Sequence, residues 1–116
     1  MANAKTKRLL QSEKYAKIKQ DLLDQLERNE TIGEYYTDLV VDYMDLWVTK
    51  CLLIEDIQRR GIIVKYDNGG GQKGKKKNDS VELMIKVNNQ MLVLLSKIGI
   101  EPSNGSEPGG DPDEEM

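Results

Sequence analysis

Residues 69–76 read GGGQKGKK, a glycine, four further residues, then Gly74 and Lys75, one residue short of the loop that cradles nucleotide phosphates. The chemistry fails at the last position. Where such a loop needs a hydroxyl for magnesium the chain has Lys76, no helix begins at once, and no alternation of strands and helices builds a parallel sheet. Asp38, Asp42 and Asp45 share a helix face and could hold a divalent cation for nuclease chemistry, but nothing near them in sequence supplies another ligand or a base, so a solvated face is expected. The chain has no histidine and a single cysteine, Cys51. That removes every Ser/His or Cys/His nucleophile, every His-ligated zinc and any internal disulfide. The expectation is a protein with no catalytic set, no metal and no cofactor.

Charge is the remaining chemical signal. The net charge of -3 over 116 residues hides blocks: residues 1–19 sum to +5, 20–60 to -6, 61–77 to +4, 78–98 to zero and 99–116 to -6. Basic blocks on an acidic chain suit phosphate contacts, because each phosphate neutralised releases a counterion. Two groups therefore qualify as nucleic-acid contacts: Lys5, Lys7, Arg8, Lys14, Lys17 and Lys19 at the front, and Lys73, Lys75, Lys76 and Lys77 after the glycines. They would position a phosphate backbone rather than read bases. With 38% apolar residues and no apolar run long enough for a bilayer, no membrane role is expected and the cytosol is the default compartment.

The elements that must carry these charges are mainly helical. Residues 1–11 lack an apolar period and read as a flexible basic arm. From Ser12, Tyr15, Ile18, Leu22 and Leu26 recur at spacings of three and four, predicting a helix to about Arg28. Thr31 and Glu34 fit a capping box for a second helix running to about Arg60, with Gly61 behind it. Tyr36, Leu39, Val40, Tyr43, Leu46, Trp47, Leu53, Ile54 and Ile57 fall on its broad apolar face, Val41, Val48 and Leu52 form a second strip, and Asp38, Asp42, Asp45 and Asp56 mark the wet side. Its tyrosines and Trp47 are expected in the core rather than stacked on bases. Lys50 projects into the apolar face, where it either snorkels to water or pairs with an acid of another subunit.

Two other helices cannot cover both strips, so Val41, Val48, Lys50 and Leu52 are expected at an oligomer interface. Residues 62–66 predict a short strand, 67–71 a turn and 72–77 a weak return limb, giving a hairpin within 61–78. Asp79 or Ser80 can cap a third helix, with Val81, Met84, Val87, Met91, Leu92, Leu95 and Ile98 on one side and Gly99 at its end. The fold class is thus mainly α: three helices, a short β-hairpin between the second and third, a helical core and oligomerisation domain over 12–103, and a disordered acidic tail at 104–116.

The order of a long aromatic helix, YYTDLVVDYMDLWVTKCLLIEDIQRRG, a strand IIVKY, a Gly/Lys hairpin and a helix ending LLSKIGIEPS resembles the phage terminase small subunits. Their last helix closes on an L-G-[LI]-x-P-[ST] type motif, matched here by Lys97, Ile98, Gly99, Ile100, Glu101, Pro102 and Ser103, with isoleucine before the glycine. The likeness spans about residues 35–103. Where the family often has proline at the start of the last helix this chain has Asn78, Asp79 and Ser80, and after the motif an acidic tail replaces the usual arginine and apolar residues. The resemblance implies a non-catalytic packaging factor of the host cytoplasm: an oligomeric ring that recognises double-stranded viral DNA and presents it to the terminase large subunit, which holds the ATPase and nuclease. The residues alone leave two rivals, a small dimeric helical transcription regulator and a structural oligomer with no DNA role. The acidic outer face of the second helix disfavours a helix-turn-helix.

Overall fold

The computed structural model describes residues 3–67, 70–71 and 73–100. It is mainly helical, with four helices and one antiparallel hairpin in the order α1 (Ala4–Leu10), α2 (Glu13–Arg28), α3 (Glu34–Arg60), β1 (Ile63–Asp67), β2 (Lys73–Lys77) and α4 (Asp79–Lys97). The sequence pattern predicts three helices. The addition is α1, seven residues inside the stretch that reads as an unstructured arm. Its sequence has too few apolar positions to show a period, but Asn3 caps it, accepting from the Thr6 amide at 2.9 Å, and it packs on α3 and α2. The expected tail, 104–116, and motif residues 101–103 lie outside the described residues.

Helix α2 begins where its pattern predicts, the Ser12 hydroxyl accepting from the Tyr15 amide at 3.1 Å. It closes through Glu30, whose φ of 55° lets the Thr31 amide reach back to the Leu26 carbonyl at 2.9 Å. Thr31 is thereby tied to the end of α2, so the capping box expected with Glu34 does not form. Gly33 starts α3 with no side-chain cap. The same closure recurs after α4: Gly99 has φ of 79°, and the Ile100 amide donates to the Leu95 carbonyl at 2.9 Å.

That second closure folds the end of α4 into the core. Leu22 and Leu26 of α2, Val40 and Met44 of α3 and Ile98 form the buried cluster, with Tyr15, Ile18, Leu23, Tyr36, Leu39, Tyr43, Trp47, Leu95 and Ile100 packed around it. Ile98 of the closing motif is therefore a core residue, and Ile100 packs against that core. Trp47 meets Tyr15 edge-on, with centroids 5.9 Å apart, and so joins α3 to α2 as packing requires. Among the described residues no helix is long and apolar enough to cross a membrane, and no group of His, Cys, Asp and Glu could hold a metal ion.

Candidate nucleic-acid interface

The hairpin pairs Ile63 with Lys77, Val64 with Lys76, Lys65 with Lys75, Tyr66 with Gly74 and Asp67 with Lys73. Side chains alternate along a strand, and directly opposed residues share a face. One face therefore carries Lys65, Lys73, Lys75 and Lys77 with Ile63 and Asp67. The other carries Val64, Tyr66, Gly74 and Lys76, and Lys76 lies 3.8 Å from Asp79. Three of the four lysines expected here share a face, and Lys65 joins them from β1. Lys65 could be placed only by the strand register, which sequence spacing does not fix.

Gly74, the residue that makes the segment resemble a phosphate loop, has a structural duty. A Cβ there would lie 2.6 Å from Tyr66 Oη and 2.8 Å from its Cζ, so the missing side chain seats the tyrosine ring. Lys75 and Lys76 follow it in an extended strand, where a phosphate-binding loop would open a helix.

What fixes the hairpin to the body is a polar network at its base. Asp56 accepts from Arg60 through both oxygens, at 2.8 and 3.0 Å, from Arg59 at 3.1 Å, from Ser80 Oγ at 2.7 Å and from Asn78 Nδ2 at 3.1 Å. Asn78, 1% exposed, also donates to the Gly61 carbonyl at 2.9 Å. Its Oδ1 accepts from the Ser80 amide and from Arg60, and its own amide donates to the Ile62 carbonyl at 2.7 Å. The Asn78 side chain thus caps α4 and ties off the end of α3, while its backbone amide closes the hairpin. The cap is Asn78, not the expected Asp79 or Ser80.

Asp56, expected on the wet side of α3, is mostly covered and is the hub. The Arg60 guanidinium, then the Ser80 hydroxyl, hold its carboxyl well below the usual carboxylate range; burial opposes them and the Asn78 amide adds to the lowering. A helical wheel cannot show this, because two partners come from 22 and 24 residues away.

The front cations divide. Lys5 pairs with Glu55 at 2.9 Å, and Arg8 lines the same shallow pocket with Leu9, Cys51, Leu52 and Glu55. The Lys5 bond, aided by the charges of Lys5, Arg8 and Arg59, lowers Glu55 against the effect of burial. Lys7, Lys14 and Lys17 are exposed and Lys19 is half-buried. Burial pushes the Cys51 thiol up while Lys14 and Lys50 pull it down, and Lys14 of α2 lines a pocket with Trp47, Lys50 and Cys51 of α3.

The expected oligomer strip is largely used within the chain. Val48 is buried and belongs to the protein's own packing, and Leu52 is half-buried beside α1. Lys50 Nζ donates to Asn88 Oδ1 of α4 at 2.6 Å, so its partner is an amide of the same chain. Only Val41 of the four is exposed. Helix α1, which the pattern does not show, packs on α3 and lines a pocket with Leu52. Surplus apolar surface lies instead along α4, where Leu83, Ile85, Val93 and Leu92, the last expected on the inner side, are exposed. Asp38, Asp42 and Asp45 are exposed, as a solvated face requires.

A small helical body carrying a lysine-faced two-stranded wing defines a protein that presents charge on a fixed projection. The model of the family described as phage terminase, small subunit, matches residues 16–115, and the chain belongs to that family. No curated protein and no solved structure matches it. The match includes the hairpin, α3 and α4 but begins after α1, so Lys5, Lys7, Arg8 and Lys14 lie outside it while Lys17, Lys19 and the hairpin lysines lie within.

Proposed function

We propose that this chain is the DNA-recognising small subunit of a phage packaging terminase, a non-catalytic factor that assembles with its own copies in the host cytoplasm and delivers double-stranded viral DNA to the large subunit. Membership of the small-subunit family supports the general role, since that subunit is generally the non-catalytic one. The observation that carries the DNA reading is the hairpin face of Lys65, Lys73, Lys75 and Lys77, held on a polar network at its base and inside the matched residues. Lysines aimed from a two-stranded ribbon meet phosphate as point charges and position a duplex without reading its sequence. Lys7, Lys14 and Lys17 form the second contact group, while Lys5 and Arg8 face Glu55.

Self-association into a ring is supported by the exposed apolar residues of α4, since a heterologous interface needs a patch that the chain does not itself cover. The rival regulator finds no support in the helices: α3 is 27 residues long and exposes Asp38, Asp42 and Asp45, where a recognition helix would need outward basic or polar residues.

The test is duplex binding measured across salt concentrations. Replacing the four hairpin lysines by glutamine should flatten the log-log salt dependence by about 0.9 for each phosphate that is no longer neutralised. An unchanged slope removes the hairpin from the interface, and native mass spectrometry of the same samples reads the assembly.

A further inference from the structure

We infer that residues 101–116 of this chain occupy the lysine face of its own hairpin when no nucleic acid is bound; this rests on the reading of that face as the DNA surface. Three observations meet. Residues 101–116 carry six acids, Glu101, Glu107, Asp111, Asp113, Glu114 and Glu115, and no base. The hairpin face sets four lysines against the single acid Asp67. Several other cations near the hairpin or at the front have acids at hand: Arg59 and Arg60 on Asp56, Lys76 near Asp79, Lys5 and Arg8 at Glu55, and Lys17 with Glu13 and Asp21 four residues to either side on α2. The hairpin face thus gathers four lysines and one acid on one surface, and the segment is the largest run of acids with no local base.

Chain length permits the contact. Ile100 is anchored in the core, and the 19 residues of α4 separate it from the hairpin base by about 28 Å. An extended chain from Ile100 spans about 37 Å at Asp111 and about 51 Å at Glu115. A random chain of that length averages about 21 Å, so the acids of residues 111–115 reach Lys77 of the same subunit when the segment is drawn out. Carboxylates on this face neutralise the lysines that phosphate would neutralise, so duplex must displace them to bind.

The experiment uses the full chain and a variant with Glu101→Gln, Glu107→Gln, Asp111→Asn, Asp113→Asn, Glu114→Gln and Glu115→Gln. NMR signals of Lys65, Lys73, Lys75 and Lys77 are compared without DNA at about 50 mM and about 500 mM salt, since screening lengths of about 14 Å and about 4 Å bracket the effect. Shifts between the two proteins at low salt that vanish at high salt and do not depend on protein concentration are expected; shifts that grow with protein concentration overturn the same-chain contact. Coincident hairpin signals at low salt, or shifts confined to Lys14 and Lys17, overturn the inference. Duplex binding by the same pair then addresses the parent reading: the neutral variant should bind about tenfold more tightly at low salt, and that gain should vanish when the four lysines are also glutamine. Hairpin shifts without any gain in DNA affinity would leave the contact standing and remove the DNA role from that face.

Discussion

The two ends of α3 are held by different physics. At its start, Val40 and Met44 are fully buried against Leu22, Leu26 and Ile98, and the acids beside them point to solvent. At its end, Asp56 and Arg60 join Gly61, Asn78 and Ser80 in a network of charge-assisted bonds. Apolar burial is non-directional and holds the helices together without fixing what projects from them. Hydrogen bonds fix direction. The body is therefore built where the chain is oily, and the wing is aimed where it is polar.

The largest effect should come from the oily end. Met44→Ala removes a fully buried side chain from the middle of the cluster and should cost about 2–5 kcal/mol in denaturant unfolding, with the whole chain losing stability together. Asn78→Ala at the other end should cost about 2 kcal/mol, from removal of a helix cap and from partners left unsatisfied. Its signature is local: hydrogen exchange should accelerate across residues 62–78 by more than it does in α2. Equal acceleration in both would mean that the network stabilises the body and does not specifically aim the wing.

Asp56 gives the two ends different responses to acid. Its carboxyl is held low in the folded state, so the stability it confers is present above its unfolded pKa of about 3.9 and is lost as the pH falls below that value toward the lower folded one. Between those values the unfolded chain binds the extra proton. Asp56→Asn should therefore reduce overall stability near neutral pH and flatten the acid limb of the stability curve below about pH 4. Met44→Ala should lower the curve at every pH without changing that limb.

The oily end is legible in the sequence and the polar end largely is not. Leu22, Leu26, Val40 and Ile98 announce themselves by helical spacing, but Met44 is hidden between Asp42 and Asp45, and period alone does not pick it out. Helix α1 has only Leu9 and Leu10 as large apolar residues, so its helical state depends on docking against α3, a tertiary effect with no local pattern. Without α1 in the pattern, Leu52 reads as uncovered, and the spacing does not show that Val48 is buried within the chain. Asp56 reads as wet because a wheel counts only neighbours on one helix, and Lys65 escapes notice because a strand's face is known only once its register is. Ser12, Gly61 and Gly99 are legible because caps are local chemistry.

The smallest expected effect tests whether the wing has an order of its own. Tyr66 lies over Gly74 across the strand pair, and a methyl at Gly74 would fall within 3 Å of the outer ring atoms. That contact is with the free end of an exposed side chain, so Gly74→Ala should displace the ring rather than break the strand, changing stability by less than about 1 kcal/mol. The ring-current shift that Tyr66 imposes on Gly74 should disappear, while cross-strand amide contacts from Ile63 to Lys77 persist. The four lysines lie on the opposite face, so DNA affinity and its salt slope should stay as they were. A drop in affinity in Gly74→Ala with the ladder intact would show that Tyr66 and its face, rather than the lysine face, meet the duplex.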